Sequence, residues 1–138
     1  MKITNFALIA GAAGLLAACG GSSIQELSDV NDARVFFAYD SSEISKDSNN
    51  MLLSQSLYLK NHSDVKIQIA GNCDARGTTD YNLALGQRRA NAAKKVIVAD
   101  GVESKRISTI SYGKERPLVA GDTEEAYAKN RNATTTRK

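Results

Sequence analysis

The spacing of apolar and polar residues changes several times along the chain, and each change predicts an element. Residues 34–39 form a near-continuous apolar and aromatic run, which is typical of a strand covered on both faces and predicts a central strand. Leucines at helical spacing follow between Ser45, a suitable N-cap, and Asn61, and they predict a helix. Val65, Ile67 and Ile69 alternate with polar residues, which indicates a half-buried strand.

The second half of the chain repeats this order of strand and helix. A long helix is expected from Thr78 or Thr79 to Asp100, where Gly101 stops it, and alanines thin its inner side so that it can lie close to a sheet. A third strand is expected over residues 107–112. Thr123 then caps a short helix that extends to about residue 131. The Thr-rich segment 133–137 predicts an edge strand.

This order of elements predicts the fold class. The β-α-β-α-β-α-β succession fits an α+β domain, with helices packed on one face of a mixed four-stranded sheet. A chain of 138 residues has room for one such domain. We expect it to span residues 34–138.

The N-terminus carries an export signal. Met1-Lys2 precedes an apolar run from Phe6 to Ala18, which is too short to span a bilayer but typical of a secretory signal peptide. The run ends in Leu16-Ala17-Ala18-Cys19, which resembles the bacterial lipobox, in which the cysteine becomes the acylated first residue. We expect a signal peptide over residues 1–18 and a lipidated flexible tether over 19–33; ordinary cleavage near Ala18 is the alternative.

Composition excludes several functions. The formal net charge of +3 is spread along the chain without a basic block, so no nucleic-acid partner is expected. Lipidation of Cys19 would leave Cys73 as the only other cysteine, without an internal disulfide partner. The sequence has no Ser/His/Asp or Cys/His set, no H-E-x-x-H motif and no CxxC motif. It therefore predicts no enzyme activity, cofactor or metal site.

The candidate functional residues cluster where the second strand passes into the long helix. Arg89 falls on the apolar stripe of that helix, although an unpaired buried charge is very costly. Asp74, in the loop before the helix, is a possible partner. Two interpretations are open: a structural ion pair, or a clamp that holds a charged ligand.

Three separated motifs indicate which family the chain resembles. They are Gly71-Asn72-Cys73-Asp74-Ala75-Arg76-Gly77-Thr78 with Tyr81-Asn82, Leu85-Gly86-Gln87-Arg88-Arg89-Ala90-Asn91-Ala92, and Ser111-Tyr112-Gly113-Lys114-Glu115-Arg116-Pro117. In this order they resemble the peptidoglycan-associated lipoproteins of the OmpA-like domain family. The resemblance covers about residues 34–131, and the lipobox and tether also match.

The resemblance implies an outer-membrane lipoprotein of the Tol-Pal system that faces the periplasm. Such a protein binds the diaminopimelate of the peptidoglycan stem peptide non-covalently, has TolB and other Tol-Pal proteins as partners, and supports envelope integrity and cell division. Asp74 would accept hydrogen bonds from the ligand ammonium, and Arg89 would hold a carboxylate. The other site residues implied by the resemblance are Tyr39 and Asp40, which line the site, and Ala38, Thr78, Asn82 and Leu85, which adjoin it.

Some residues depart from the family pattern. Asn72-Cys73 stands where many relatives have His-Ala, and Asn132 stands where a second arginine is frequent. The alternative function is an exported cell-wall hydrolase that uses Asp74 and Asp40 as a carboxylate pair. Such a pair needs one carboxylate with a raised pKa, and a nearby Arg89 would lower it.

Overall fold

A mixed sheet with helices packed against it forms the domain. The computed structural model describes residues 23–138, so the predicted signal peptide and Cys19 lie outside the described residues. The elements in chain order are β1 (Arg34–Phe36), α1 (Lys46–Asn61), β2 (Ile67–Asn72), α2 (Thr79–Ala99), a 3-10 turn (Ser104–Arg106), β3 (Ile107–Gly113), α3 (Glu124–Asn130) and β4 (Asn132–Arg137). This order confirms the predicted α+β fold class.

Each α-helix begins at a hydroxyl cap that the sequence predicted. The side-chain oxygens of Ser45, Thr78 and Thr123 accept hydrogen bonds from the backbone N–H three residues ahead, at 3.1, 3.2 and 3.2 Å. These bonds satisfy N–H groups that have no partner within the helix. The start of α2, which follows the candidate loop, is therefore fixed by Thr78.

The strand order is β1-β4-β2-β3. Strand β2 runs parallel to β3 and antiparallel to β4, and β4 runs antiparallel to β1. Two strand positions therefore differ from expectation. The apolar strand predicted to be central is the edge strand β1, and the Thr-rich segment predicted to be an edge strand is the interior strand β4.

The two faces of the sheet explain both corrections. On β4, Ala133 and Thr135 are buried, whereas Thr134 and Thr136 line an open groove on the sheet. An interior strand with one solvated face needs apolar residues only at alternate positions, so threonine is suitable there. In the predicted strand 34–39, the regular strand ends at Phe36, and Phe36 and Tyr39 are exposed.

The core lies between the sheet and the helices α1 and α2. Leu52, Leu59, Ile67, Ile69 and Ile97 are fully buried there. Ala90 and Ala93 are also buried, which confirms that small residues let α2 lie close to the sheet.

The chain before β1 also packs against the domain. Val30, within the segment predicted to be a tether, is fully buried, and the N–H of Asp32 donates to the carbonyl of Thr135 at 2.7 Å. Part of the predicted tether therefore packs against the domain. Among residues 23–138, no helix is both long and apolar enough to cross a membrane.

Candidate functional site

A small pocket of about 60 Å³ lies where β2 passes into α2. Six of the eight side chains implied by the resemblance line it: Tyr39, Asp40, Asp74, Asn82, Leu85 and Arg89. Its remaining lining residues are Cys73, Arg76, Gly77 and Tyr81. The loop after β1, the loop after β2 and the first turns of α2 therefore meet at one place.

The other two implied residues have different positions. The backbone carbonyl of Ala38 accepts a hydrogen bond from the Nη2 of Arg89 at 3.2 Å, and its side chain does not line the pocket. Thr78 caps α2 and is likewise outside the lining. Ala38 therefore supports the pocket through its carbonyl group, and Thr78 through the side-chain cap that fixes the start of α2.

Arg89 is buried and bound to backbone carbonyls of the loop after β1 and of the last residue of β2. Its Nε donates to Ser41 and its Nη1 to Asn72, both at 2.9 Å, in addition to the bond with Ala38. Only 1% of the residue is exposed. Burial lowers the pKa of Arg89, but an arginine pKa starts so high that the guanidinium stays charged. Arg89 thus joins α2 to the loop after β1 and to the end of β2.

Asp74 pairs with arginines other than Arg89. Its Oδ2 lies 2.8 Å from the Nη2 of Arg76 and 3.5 Å from the Nη1 of Arg131. The hypothesis of an Asp74–Arg89 ion pair is therefore wrong. Periodicity placed Arg89 on the buried face correctly, but its charge is satisfied by backbone carbonyl groups, which carry no signal in the sequence.

The charged form of Asp74 is favoured. Burial raises the pKa of Asp74, but hydrogen bonds from the side chain and backbone N–H of Arg76, together with the charge of Arg76 and a hydrogen bond from Arg131, outweigh it, so the pKa lies below its ordinary value. The carboxylate is 5% exposed. It is a fixed negative charge next to the pocket.

Three residues that the sequence did not identify complete the surroundings of Asp74. Arg131 donates from Nε to the carbonyl of Phe37 at 2.9 Å, and its own carbonyl accepts from the N–H of Phe37 at 2.8 Å. The guanidinium of Arg76 lies between the rings of Tyr39 and Tyr127, 4.3 and 4.2 Å from their centroids. Of these three residues, only Arg76 could have been predicted as a neighbour of Asp74, because it lies two residues after Asp74 in the motif.

Asp40 and Tyr81 close the rim of the pocket. Asp40 has a φ of 52°, the left-handed region that aspartate adopts more readily than most residues. Its carboxylate accepts a hydrogen bond from the hydroxyl of Tyr81, which raises the pKa of Tyr81. The contact joins the loop after β1 to the first turn of α2.

The residues that depart from the family pattern contact one another or the site. The side-chain amide of Asn72 donates to Oδ1 of Asn132 at 2.9 Å, so the two replacements are neighbours in space. Cys73 is buried, and its Sγ donates to the carbonyl of Asn82 at 3.2 Å. Burial raises the pKa of the Cys73 thiol, which keeps it protonated.

The arrangement presents two opposite charges to a ligand. A buried carboxylate and a buried guanidinium share one pocket, and residues 23–138 contain no group of three or more histidine, cysteine or acidic side chains placed to hold a metal. Each terminal nitrogen of Arg89 carries one N–H besides the one that donates to a carbonyl. A zwitterionic group offers both charges that such a pocket can hold.

Comparison with known proteins shows the family. The OmpA family model matches residues 36–131. A peptidoglycan-associated lipoprotein of Pasteurella multocida is 39% identical, with 96% of each chain covered. That of Mesorhizobium japonicum is 43% identical over 98% of this chain and 80% of its own.

Solved structures show the same fold. The crystal structure of the peptidoglycan-associated lipoprotein from Burkholderia pseudomallei has a TM-score of 0.75 and 38% identity, covering 77% of this chain and 90% of that one. The C-terminal domain of Helicobacter pylori MotB has a TM-score of 0.69 at 21% identity, covering 80% and 86%, and shares the fold alone. The chain therefore belongs to the OmpA family and, within it, to the peptidoglycan-associated lipoproteins.

Proposed function

We propose that the pocket binds the diaminopimelate residue of the peptidoglycan stem peptide without covalent chemistry. One observation carries the proposal: Asp74 and Arg89 line one pocket with opposite charges and do not neutralise each other. Asp74 accepts hydrogen bonds from the ligand ammonium. The second N–H on each terminal nitrogen of Arg89 donates to the neighbouring carboxylate.

The same proposal extends to the cell envelope. Relatives that match most of this chain are named peptidoglycan-associated lipoproteins, and the sequence has a lipobox cysteine at Cys19. Acylation there anchors the protein to the outer membrane, and the pocket holds the cell wall on the periplasmic side. In this role the protein acts within the Tol-Pal system, with TolB among its partners, in envelope integrity and cell division.

The carboxylate arrangement disfavours the cell-wall hydrolase. A glycosidase needs one carboxyl group protonated near neutral pH to act as the general acid. The pKa of Asp74 is lowered, and the carboxylate of Asp40 is bound by Tyr81. Incubation with purified cell wall should therefore release no soluble fragments.

Sedimentation with purified peptidoglycan tests the binding proposal. Wild type should co-sediment, whereas Asp74→Asn should remain in solution, because the amide loses the charge that faces the ammonium. Asp64→Asn is the matched control, since Asp64 is exposed in the loop before β2. Equal sedimentation of Asp74→Asn and wild type would contradict the assignment of Asp74.

Ligand choice gives a second test. Diaminopimelate carries an ammonium and a carboxylate on its distal carbon, whereas lysine lacks that carboxylate. Stem peptides with meso-diaminopimelate should bind at least about tenfold more tightly than stem peptides with lysine, the equivalent of about 1.4 kcal/mol. Equal affinities measured by calorimetry would rule out the role of Arg89.

A further inference from the structure

The carboxylate that the proposed ligand needs already holds a cation. Arg76 donates from Nη2 to Oδ2 of Asp74 at 2.8 Å and from Nε to Oδ1 at 3.2 Å. Its backbone N–H adds a third bond, to Oδ1 at 3.0 Å. Two parallel side-chain bonds of this kind form the planar fork that binds a carboxylate most strongly. A ligand ammonium must therefore compete with Arg76.

The pocket is small, with a volume of about 60 Å³, and the guanidinium of Arg76 is part of its lining. That guanidinium binds both carboxylate oxygens of Asp74. A ligand ammonium that binds Asp74 therefore has to displace it.

Of the two cations at Asp74, Arg76 can move more readily. Its side chain is 37% exposed, whereas that of Arg131, the second cation at Asp74, is 10% exposed. Arg131 is also bound through Nε to the carbonyl of Phe37. When Arg76 swings out, Arg131 stays, so the buried carboxylate of Asp74 retains a compensating charge.

The two aromatic rings provide a surface for the exchange. The Arg76 guanidinium lies between Tyr39 and Tyr127 at 4.3 and 4.2 Å from their centroids. A tyrosine ring attracts any cation over its face. Tyr39 is 64% exposed, so it can move with the arginine and open the pocket. The rings can also attract the incoming ammonium.

We propose that Arg76 is an internal competitor that determines which ligands enter the pocket. A ligand gains access to Asp74 only when it brings its own cation to replace the guanidinium. A ligand that carries only the carboxylate does not displace Arg76, so Asp74 stays inaccessible to it. Arg76 thus selects for the ammonium of diaminopimelate, an inference that rests on the proposed function.

Removal of the competitor tests the inference. Arg76→Ala should bind a disaccharide tripeptide containing meso-diaminopimelate roughly fivefold more tightly than wild type in calorimetry, because the ammonium no longer displaces a partner. Arg76→Lys, which keeps the charge but loses the fork, should fall between the two. Arg116→Ala is the matched control: Arg116 stacks on Tyr112 at 3.7 Å and lies outside the pocket. It should bind as wild type does.

Displacement is also directly observable. In ¹⁵N spectra of the arginine side chains, the Nε–H signal of Arg76 should move to a solvent-exposed position when this tripeptide is added. The same tripeptide with L-2-aminopimelate, which keeps the distal carboxylate and lacks the distal amino group, should leave the signal unchanged.

The outcomes separate this inference from the proposed function. Suppose that wild type binds the tripeptide and that Arg76→Ala binds it equally or more weakly, at an unchanged melting temperature. That result would overturn the competitor role of Arg76 and would leave the stem-peptide proposal standing. If Arg76→Ala unfolds, the ¹⁵N displacement experiment on wild type decides. Failure of wild type to bind any diaminopimelate peptide would overturn both.

Discussion

Gly71 on β2 and Gly86 on α2 meet backbone to backbone. A Cβ atom built on Gly71 would lie 1.6 Å from the carbonyl oxygen of Gly86, and one built on Gly86 would lie 2.8 Å from the carbonyl oxygen of Gly71. Arg89 follows Gly86 by three residues, almost one turn of the helix. The close approach therefore brings the guanidinium of Arg89 within reach of the carbonyl of Asn72, the last residue of β2.

Substitution of Gly71 by alanine should separate the helix from the strand. The methyl group has no space against backbone atoms, and overpacking of this kind typically costs about 1–3 kcal/mol or more. We expect Gly71→Ala to lower the free energy of unfolding in urea by at least about 3 kcal/mol. Gly101→Ala is the control: its Cβ would have space, so only its positive φ of 108° opposes the substitution, at about 1–2 kcal/mol. Equal losses would contradict the packing argument.

Arg89 and Asp74 should differ in their effect on stability. Arg89→Lys loses the planar set of donors that binds three carbonyls, and each buried acceptor left without a donor costs about 1–3 kcal/mol. We expect a loss of at least about 2 kcal/mol in urea unfolding. Asp74→Asn keeps its shape and retains an oxygen to accept from Arg76, so the expected loss is about 1 kcal/mol.

The two variants therefore need different readouts. If Asp74→Asn loses peptidoglycan binding, the loss reports on the site itself. If Arg89→Lys loses binding, the loss can come both from the missing ligand contact and from the lower stability of the fold. Arg88→Ala provides the matched control on α2, because Arg88 is exposed beside Arg89. A melting temperature of Arg89→Lys equal to that of wild type would show that its carbonyl contacts are dispensable.

The sequence predicted the elements and the place of the site better than their contacts. Caps and periodicity depend on neighbouring residues, so Ser45, Thr78 and Thr123 were identifiable. The position of β4 inside the sheet depends on pairing with residues far along the chain. Polar threonines on a solvated face carry no signal of that position. The sequence pattern therefore predicted an interior position for β1, which is an edge strand, and an edge position for β4, which is an interior strand.

The charges in the pocket show the same limit. Helical spacing placed Arg89 on the buried face, but its partners are carbonyl groups, which every residue possesses. Arg131 reaches Asp74 from 57 positions away in the sequence, and no local pattern indicates such a contact. The family resemblance identified Asp74 and Arg89 as site residues. The arginines that pair with Asp74 could be identified only from the folded structure.

Stability should fall in acid partly through Asp74. Its pKa in the folded protein lies below the ordinary value of 3.8, so the folded state favours the charged form. This contribution is present above the unfolded pKa and is lost as the pH falls through the folded pKa. The difference in unfolding free energy between wild type and Asp74→Asn should therefore be largest above about pH 5 and should narrow below about pH 4. Parallel profiles from pH 2 to 6 would contradict the lowered pKa.

Cys73 should be inert although it lines the pocket. Burial raises the pKa of its thiol, and the neighbouring charge of Asp74 raises it further against the opposing effect of Arg89. Iodoacetamide at pH 8 should therefore modify Cys73 far more slowly in the folded protein than in urea. Cys73→Ala should retain cell-wall binding within a few-fold. A binding loss as large as that of Asp74→Asn would assign the thiol to the site.

Cys19 should carry the membrane anchor. It follows Leu16-Ala17-Ala18 in the lipobox pattern, and the next residue is Gly20, not the aspartate that retains related lipoproteins at the inner membrane. Cys19→Ser removes the acylated thiol, and without its acyl chains the protein has no stable hold on the bilayer. We expect wild type in the outer-membrane fraction and the variant outside it. After lysozyme digestion, which removes the cell wall that the pocket still binds, the variant should be soluble in the periplasm. Continued fractionation with the membrane after that digestion would contradict lipidation as the anchor.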